Sequence, residues 1–310
     1  MRFDGLDLNL LVALNALLAE QNVSVAAERV HLSQPAMSGA LNRLREFFGD
    51  DLLVPVGRRM VLTPRAEALV EPVRNALLQI RMTITAKSVF VPAESARQVT
   101  VLASDYMIRV LLADTLRRIA DLAPGMVFDV AALEDAPVER LEKAEVDLLI
   151  TAEQYTSADH PTRLLFEDDY VVVAWAGNDQ FDRVIDPETY SRLGHVTVSH
   201  GRTRTPTFED WFARTTHVTR RVEVVAPSFT DVAHFLLGTR RLGTMHRRLA
   251  TLLATTLPLK IAPVPFDMPK VRMSAQWHRI QNQDQALAWV VDQMCAAAGD
   301  AAAGLRTAAE

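Results

Sequence analysis

The chain has 310 residues, of which 49% are hydrophobic, and a formal net charge of −5 at pH 7. This length suffices for two or three domains with a large core, and the negative charge excludes a protein that coats nucleic acid by bulk electrostatics. The single cysteine, Cys295, excludes an internal disulfide framework and a zinc knuckle. No stretch approaches the roughly 20 apolar residues that cross a bilayer, so we expect a cytoplasmic protein without membrane contact.

The first predicted elements are three short helices. Apolar residues at helical spacing predict one helix over residues 6–20. Ser24 is the predicted N-cap of the second helix, because its hydroxyl can accept from a free amide of the first turn. Ser33 is the predicted cap of the third helix, and Pro35 lies in its first turn, where the missing amide does no harm.

The third helix has two opposite faces. Its apolar residues from Met37 to Phe48 are spaced by four, three and four positions, which indicates one buried side. The other face carries side chains that can contact bases or phosphates. These side chains are Gln34, Ser38, Asn42 and Arg45.

A short hairpin is predicted next. Residues 52–62 form two short apolar strands joined by a turn that contains Arg58 and Arg59. A hairpin that follows three helices is a wing, and its arginine tip can contact phosphates or a minor groove. Together with Arg43 and Arg45, the tip gives this acidic chain a locally basic face.

A long helix begins at Thr63 and Pro64, which repeat the pattern of a cap followed by proline. Its apolar residues form a seam that favours a partner helix, so we interpret it as a dimerisation linker. A helix packed on its own domain is the alternative. The seam consists of Leu69, Val73, Ala76, Ile80 and Ile84.

Beyond residue 92, strands alternate with helices, which indicates mainly parallel sheets covered by helices. The remaining length suffices for two sheets, and the segments 170–175 and 271–277 are the predicted crossings between them. The alanine-rich tail, 296–310, is expected to fray. Predicted strands lie at 99–103, 126–133, 146–152, 170–175, 195–199, 222–226, 242–245 and 271–277, and predicted helices at 108–120, 138–143, 208–214 and 229–237.

Three of the predicted strand ends carry a candidate ligand site. Ligands of parallel α/β sheets bind beyond the carboxyl ends of the strands, where helix N-termini present free amides. The polar and aromatic side chains at these ends suit a planar phenol or an aromatic carboxylate. Ser104 and Ser228 could instead be helix caps only, and Tyr106 and Phe229 core aromatics. The set comprises Ser104, Asp105, Tyr106, Met107, His200, Arg202, Ser228, Phe229 and Thr230.

Common enzyme motifs are absent from the sequence. It has no Gly-x-Ser-x-Gly turn, no Gly-rich dinucleotide or phosphate-binding loop and no His-Glu-x-x-His pair. His195 and His200 lack a third donor, so a metal site is not expected. We therefore expect a protein that is not an enzyme and uses neither metal nor cofactor.

The order of these elements resembles the LysR-type transcriptional regulators over essentially the full chain. The segment VSVAAERVHLSQPAMSGALNRLREFFGDDLLVPVGRRMVLTP carries the resemblance most specifically. MRFDGLDLNLLVALNALLAE and GTMHRRLA are similar to the branch that contains the nodulation regulators and the regulators of naphthalene, salicylate and chlorinated-aromatic catabolism.

The resemblance implies a winged helix-turn-helix domain, a linker helix and a two-lobed α/β effector-binding domain like a periplasmic binding protein. The implied boundaries are 1–62 for the DNA-binding domain, 63–91 for the linker helix and 92–300 for the effector domain, with lobe I at 92–165 and 268–300 and lobe II at 166–267.

The resemblance also implies how such a protein acts. A homotetramer, as a dimer of dimers, binds an interrupted palindrome in promoter DNA. A small aromatic effector between the lobes then changes DNA bending and contact with RNA polymerase, which activates an operon. Asp168 is implied to face the effector cleft, and Gly39 stands where many members carry a longer polar side chain. The predicted DNA-binding residues are Ser24, Ser33, Gln34, Pro35, Ser38, Asn42, Arg43, Arg58 and Arg59.

Two other classes of function are alternatives. The first is a non-regulatory ligand-binding protein or enzyme with a degenerate helical appendage, in which Gln34, Ser38 and Arg58 would have no role in DNA binding. The second is an architectural protein that binds DNA without sequence preference, which conflicts with the acidic charge.

Overall fold

The computed structural model describes residues 2–3, 6–57, 59–85, 90–133, 136–181, 184–199, 214 and 220–307. The chain divides into an N-terminal unit, residues 1–88, and a C-terminal unit, residues 89–310. Arg58, His200, Arg202 and the predicted helix at 208–214, except Arg214, lie outside the described residues. No described helix is long and apolar enough to cross a bilayer.

The N-terminal unit contains the predicted order of three helices, a hairpin and a long helix. The apolar faces of the three helices close one core around Leu14, Leu17, Met37 and Leu44. The elements are β1 (Arg2–Phe3), β2 (Leu6–Asp7), α1 (Asn9–Glu20), α2 (Val23–Arg29), α3 (Gln34–Phe48), β3 (Leu53–Val56), β4 (Arg59–Leu62) and α4 (Pro64–Thr85).

The helix starts follow the predicted caps except at α2. Asn22, not Ser24, is the N-cap there, since its side-chain oxygen accepts from the amides of Ser24 at 2.9 Å and Val25 at 3.2 Å. The prediction was wrong because Ser24 already lies inside the first turn of the helix. Ser33 caps α3 as predicted by accepting from the Ala36 amide at 3.3 Å.

The first half of α4 completes the N-terminal core. Thr63 accepts from the Ala66 amide at 3.1 Å and caps the helix as predicted. Leu69 and Val73 pack against the core of the first three helices, so this part of the seam follows the alternative of a helix packed on its own domain. Ile80, further along the seam, is half-buried. Dimerisation through the seam stays a prediction.

The C-terminal unit consists of two five-stranded sheets with covering helices. Its strands are β5 (Gln98–Ala103), β6 (Val127–Ala132), β7 (Leu148–Ala152), β8 (Thr162–Asp168), β9 (Tyr170–Trp175), β10 (Gly194–Val198), β11 (Arg221–Ala226), β12 (Leu242–His246), β13 (Leu259–Pro263) and β14 (Val271–Gln276). Its helices are α5 (Asp105–Met107), continued by a π-helical turn (Ile108–Leu112), α6 (Ala113–Leu122), α7 (Pro137–Glu142), α8 (Pro187–Arg192), α9 (Phe229–Leu236), α10 (Arg247–Ala254) and α11 (Gln285–Thr307).

Both sheets are mixed, which corrects the prediction of mainly parallel sheets. The strand orders are β6-β5-β7-β14-β8 and β11-β10-β12-β9-β13. Within them β14 runs antiparallel to β7 and β8, and β9 runs antiparallel to β12 and β13. The reversed strands lie next to the crossings between the sheets, where the chain enters each sheet in the opposite direction. The first crossing is at Asp169, so the first sheet extends beyond the expected lobe boundary at residue 165.

Several elements were absent from the prediction. The strands β8 and β13 and the helices α8 and α10 lie in segments without a predicted element. The final helix, α11, continues to Thr307, although the tail was expected to fray from residue 296. The start of the tail is held by burial, since Ala297 and Ala298 lie in the core of the C-terminal unit together with Leu287, Val290 and Met294 of the same helix.

One hydrophobic core joins the two sheets. Tyr106 and Phe166 from the first-sheet side and Phe229 from the second-sheet side belong to the same buried cluster. A smaller cluster around Tyr190 and Leu242 covers the opposite face of the second sheet. The two sheets therefore contact each other through residues that the sequence assigned to a ligand site.

Candidate DNA-recognition surface and ligand site

The predicted polar face of α3 is present on the surface. Gln34, Asn42 and Arg43 are exposed, and Ser38 is half-buried. Gln34, Ser38 and Asn42 are four residues apart in sequence, which aligns them along one side of the helix. This row presents amides and a hydroxyl, the groups that can contact base edges in a major groove.

Arg45 belongs to the scaffold and not to this polar face. Its guanidinium donates to the carbonyl oxygens of Asp51 at 2.7 Å and Leu53 at 2.8 Å, at the start of β3. Nearby, Asp50 accepts from the Thr63 hydroxyl at 2.6 Å and from the Leu52 amide at 2.7 Å, and these bonds lower the pKa of its carboxyl. Both side chains fix the base of the hairpin against the end of α3. Helical spacing alone did not reveal this role.

Arg45→Ala is expected to loosen the hairpin. The change removes two charge-assisted hydrogen bonds and leaves two backbone carbonyls without their donor, which we expect to lower the free energy of unfolding by about 1–3 kcal/mol. Chemical denaturation of the full chain measures this loss. Arg43→Ala is the matched control, because Arg43 is exposed on the same helix and its hydrogen bond to the Gly39 carbonyl oxygen is long, at 3.4 Å. Equal stability of the two variants would contradict the scaffold role.

The basic face at the hairpin is described in part. The register pairs Val56 with Arg59, and Gly57, which follows β3, has a φ of +62° in the left-handed region that favours glycine. Arg59 is exposed, and Arg58 lies outside the described residues. With Arg45 assigned to the scaffold, the described arginines that remain on this face are Arg43 and Arg59.

The predicted ligand residues meet where the two sheets face each other. Asp105, at the start of α5, accepts from the Phe229 amide at 3.1 Å and from the Thr230 amide and hydroxyl, each at 2.7 Å. Phe229 and Thr230 open α9 on the second-sheet side. The N-terminus of one helix is therefore held to the N-terminus of another through a single carboxylate.

A second contact between the sheets lies beside Asp105. The Tyr106 hydroxyl donates to Asp168 Oδ2 at 2.8 Å, and the same oxygen accepts from the Arg248 amide at 3.2 Å. The Tyr106 ring stacks on His246 with ring centroids 3.9 Å apart, and the Arg248 guanidinium lies 4.1 Å from the Phe166 ring centroid. Burial raises the pKa of both Tyr106 and Asp168.

The structure brings most of the predicted residues together, but several have local roles. Ser104 accepts from the Met107 amide at 3.4 Å and Ser228 accepts from the Asp231 amide at 3.1 Å, so both are helix caps. Tyr106, Met107 and Phe229 are buried in the core between the sheets. These placements match the alternative reading of caps and core aromatics.

His246 and Arg248 were missed by the sequence analysis as site residues. Both lie at the junction of β12 and α10, which is another carboxyl strand end. The strand at 242–245 was predicted, and the segment after it contains a histidine and two arginines. The rule that ligands bind beyond the carboxyl ends of strands, applied to this strand as well, would have identified His246 and Arg248.

His195, inside β10, is buried and neutral. Its Nε2 lies 2.7 Å from the carbonyl oxygen of Tyr190, and a carbonyl can only accept, so Nε2 carries the proton. Burial, reinforced by the nearby Arg220 guanidinium, lowers the pKa of His195 to about 4.

This low pKa predicts a loss of stability in mild acid. The histidine pKa in the unfolded chain is about 6.5, so below this pH His195 binds a proton in the unfolded state but not in the folded state. The free energy of unfolding therefore falls as the pH drops to about 4, by about 3 kcal/mol in total. His195→Gln should remove this dependence, as measured by denaturation between pH 7 and 4. His234→Gln, at an exposed position, is the control, and an unchanged slope in His195→Gln would contradict the assignment.

Comparisons with known proteins match both units. The family described as bacterial regulatory helix-turn-helix protein, lysR family, matches residues 8–67, and the LysR substrate binding domain matches residues 92–298. Nodulation protein D of Bradyrhizobium sp. (strain ANU 289) is 43% identical over 290 residues, which cover 94% of this chain and 86% of the relative. Nodulation protein D 2 of Rhizobium tropici is also 43% identical, with 94% and 92% covered.

Solved structures show the same fold. Full-length OxyR from Pseudomonas aeruginosa is similar with a TM-score of 0.70 at 20% identity, covering 93% of this chain and 94% of that one. Full-length CbnR in complex with its target DNA has a TM-score of 0.53 at 17% identity, covering 94% and 100%.

These matches cover the helical unit as well as the two-sheet unit, so the alternative of a degenerate helical appendage is set aside. The relatives are transcriptional regulators and not enzymes, as expected from the missing enzyme motifs. The chain belongs to the LysR family of transcriptional regulators.

Proposed function

We propose that this LysR-family regulator binds promoter DNA through α3 and the β3–β4 hairpin, and activates a neighbouring operon when a small aromatic effector binds between its two sheets. The observation that carries the proposal is the contact between the sheets. There the Tyr106 and His246 rings stack beside the hydrogen bond from Tyr106 to Asp168. Aromatic rings next to a few fixed polar groups suit a planar phenolic, salicylate-like or chlorinated ligand.

In this proposal the face of α3 contacts bases and the arginines contact phosphates. Gln34, Ser38 and Asn42 have the chemistry to select bases, and Arg43 and Arg59 carry the exposed positive charge. The complete proposed DNA-binding set also includes Ser24, Ser33, Pro35 and Arg58.

The proposed effector set combines the described residues between the sheets with two outside them. Asp105 and Asp168 each connect the first sheet to the start of a helix on the second-sheet side, so a ligand that separates these contacts would change how the sheets meet. The set is Ser104, Asp105, Tyr106, Met107, Asp168, His200, Arg202, Ser228, Phe229 and Thr230.

We also propose the assembly and its setting. The half-buried part of the α4 seam would pair two chains, and two such dimers would occupy an interrupted palindrome and contact RNA polymerase in the cytoplasm. The domain boundaries at 1–62, 63–91 and 92–300 belong to this proposal.

Footprinting on the DNA upstream of the protein's own gene and of its divergent neighbour tests the function. The purified protein is incubated with each DNA, with and without a panel of phenols, salicylates and flavonoids. A specific footprint that shortens or shifts with one compound supports both parts of the proposal. A specific footprint that no compound changes contradicts the aromatic effector, and no preference over random duplex at moderate salt contradicts operator binding.

A further inference from the structure

The chain turns sharply between the end of α3 and the hairpin, and one residue of this turn is strained. Leu52 has a φ of +60°, in the left-handed region that a leucine rarely adopts. Its side chain is fully buried in the N-terminal core, so a different backbone conformation here would disturb that core. Strain of this kind persists only where the surrounding structure enforces it, and strained residues cluster at functional sites.

Two residues enforce the conformation of Leu52. Oδ1 of Asp50 accepts from the Leu52 amide at 2.7 Å and from the Thr63 hydroxyl at 2.6 Å. The Leu52 carbonyl oxygen accepts from the Thr63 amide at 3.0 Å. Both backbone polar groups of Leu52 are therefore bonded to Asp50 and Thr63, which flank the hairpin on either side.

Thr63 continues these bonds into α4. Its hydroxyl, which donates to Asp50, also accepts from the amide of Ala66 in the first turn of α4, at 3.1 Å. At the other end, Asp50 directly follows Gly49, the C-cap of α3. One series of hydrogen bonds thus joins the end of α3, the base of the hairpin and the start of α4. We call the group Asp50, Leu52 and Thr63 the α3–α4 joint.

The length of α4 makes the angle at this joint important. Its 22 residues span about 33 Å. A tilt of about 6° at the first turn therefore moves the far end of the helix by about 3.4 Å, which is the rise of one base pair. Adding one base pair also rotates a half-site by about 35° around the duplex. A dimer paired through α4 tolerates a shifted half-site only if the α3–α4 joint is loose.

We propose that Asp50, Leu52 and Thr63 are positioning residues that fix the angle between α3 and α4, and thereby set the spacing of the two half-sites that a dimer accepts. None of the three needs to contact DNA. The inference rests on the proposed function, since it requires operator binding by a dimer paired through α4. It goes beyond that function by assigning selectivity for half-site spacing to residues outside the proposed DNA-binding set.

Asp50→Ala in the full-length protein tests the proposal, and Asp51→Ala is its matched control. Both variants remove one negative charge at adjacent positions, so their long-range effects on DNA affinity are comparable. The Asp51 side chain is exposed, and its carboxylate makes no hydrogen bond with the described residues. Only Asp50→Ala breaks the α3–α4 joint.

The DNA is the duplex that the wild type protects in footprinting, with its own spacing or with one base pair added or removed between the half-sites. The wild type should prefer its own spacing about tenfold, and Asp51→Ala should keep this ratio. In Asp50→Ala the ratio should fall to about threefold or less, because the joint has lost two hydrogen bonds. Affinity for a duplex with a single half-site should stay within about twofold, since the base-contacting face of α3 is unchanged.

Thr63→Val and Thr63→Ser test the α3–α4 joint without a change of charge. Valine has nearly the shape of threonine but lacks the hydroxyl that bonds to Asp50 and Ala66. Thr63→Val should therefore lose the spacing preference, as Asp50→Ala does. Serine keeps the hydroxyl, so Thr63→Ser should retain the preference of the wild type. Melting temperatures show that each variant is folded at the temperature of the binding assay.

Two outcomes overturn the inference alone. In the first, Asp50→Ala and Thr63→Val weaken binding equally at every spacing, which is the result of a purely structural role. In the second, the wild type binds the shifted duplexes as tightly as the original while it still prefers them to random duplex, so the DNA-binding part of the proposed function stands. A wild type without preference over random duplex overturns both the proposed function and this inference.

Discussion

The double variant Gln34→Ala and Ser38→Ala is expected to lose most of its preference for operator DNA over random duplex. Both side chains lie on the outer side of α3, and each contact with a base edge contributes about 1–3 kcal/mol of discrimination. The two losses together amount to about 2–6 kcal/mol if they add. Competition binding of operator against random duplex at one fixed salt concentration measures the ratio.

Two further variants distinguish base contacts from phosphate contacts. Gln79→Ala, at an exposed position of α4 outside the proposed surface, should leave the ratio unchanged. Arg43→Ala should weaken binding to both DNAs and reduce the slope of affinity against salt by about one unit, since it removes a phosphate contact. If Gln34→Ala and Ser38→Ala weaken both DNAs equally, these side chains contact only the backbone and the proposed base selection is wrong.

The N-terminal unit was predictable because its information is local. Apolar spacing places the helices, and Ser33 and Thr63 satisfy amides within their own first turns. The error at α2 was local too, since Asn22 and Ser24 are both good caps and the sequence alone does not decide between them. The prediction that Arg45 lies on the polar face of α3 was wrong for a different reason. Its partners, the carbonyls of Asp51 and Leu53, lie beyond the helix that sets its spacing.

The C-terminal unit was predictable only in outline. The alternation of strands and helices in the sequence predicted two sheets. The direction of each strand, however, depends on pairings between distant segments, such as β14 with β7 and β8. Apolar runs indicate a strand without showing the direction in which it pairs. The convergence of Asp105 with Thr230 was expected from the strand-end rule. What that rule could not show is that these residues bond to each other.

Asp105→Ala is expected to have the largest effect on the C-terminal unit. The carboxylate accepts three hydrogen bonds from the first residues of α9, at 2.7–3.1 Å. Its removal leaves the Phe229 and Thr230 amides without an acceptor, and we expect the free energy of unfolding to fall by about 2–4 kcal/mol. Chemical denaturation measures the loss, and hydrogen exchange at these two amides should accelerate more than at the rest of α9.

The comparison that decides this prediction is with another aspartate of the same unit. Asp114 pairs with Arg117 on the exposed surface of α6, and an exposed pair contributes only about 0–1 kcal/mol, so Asp114→Ala should be nearly neutral. Asp105→Asn should lie between the two, because its one carbonyl oxygen can replace only part of the carboxylate. Operator binding should survive in all three variants, since α3 and the hairpin lie in the other unit of the chain. Unchanged exchange at residues 229 and 230 in Asp105→Ala would show that this carboxylate does not hold the sheets together.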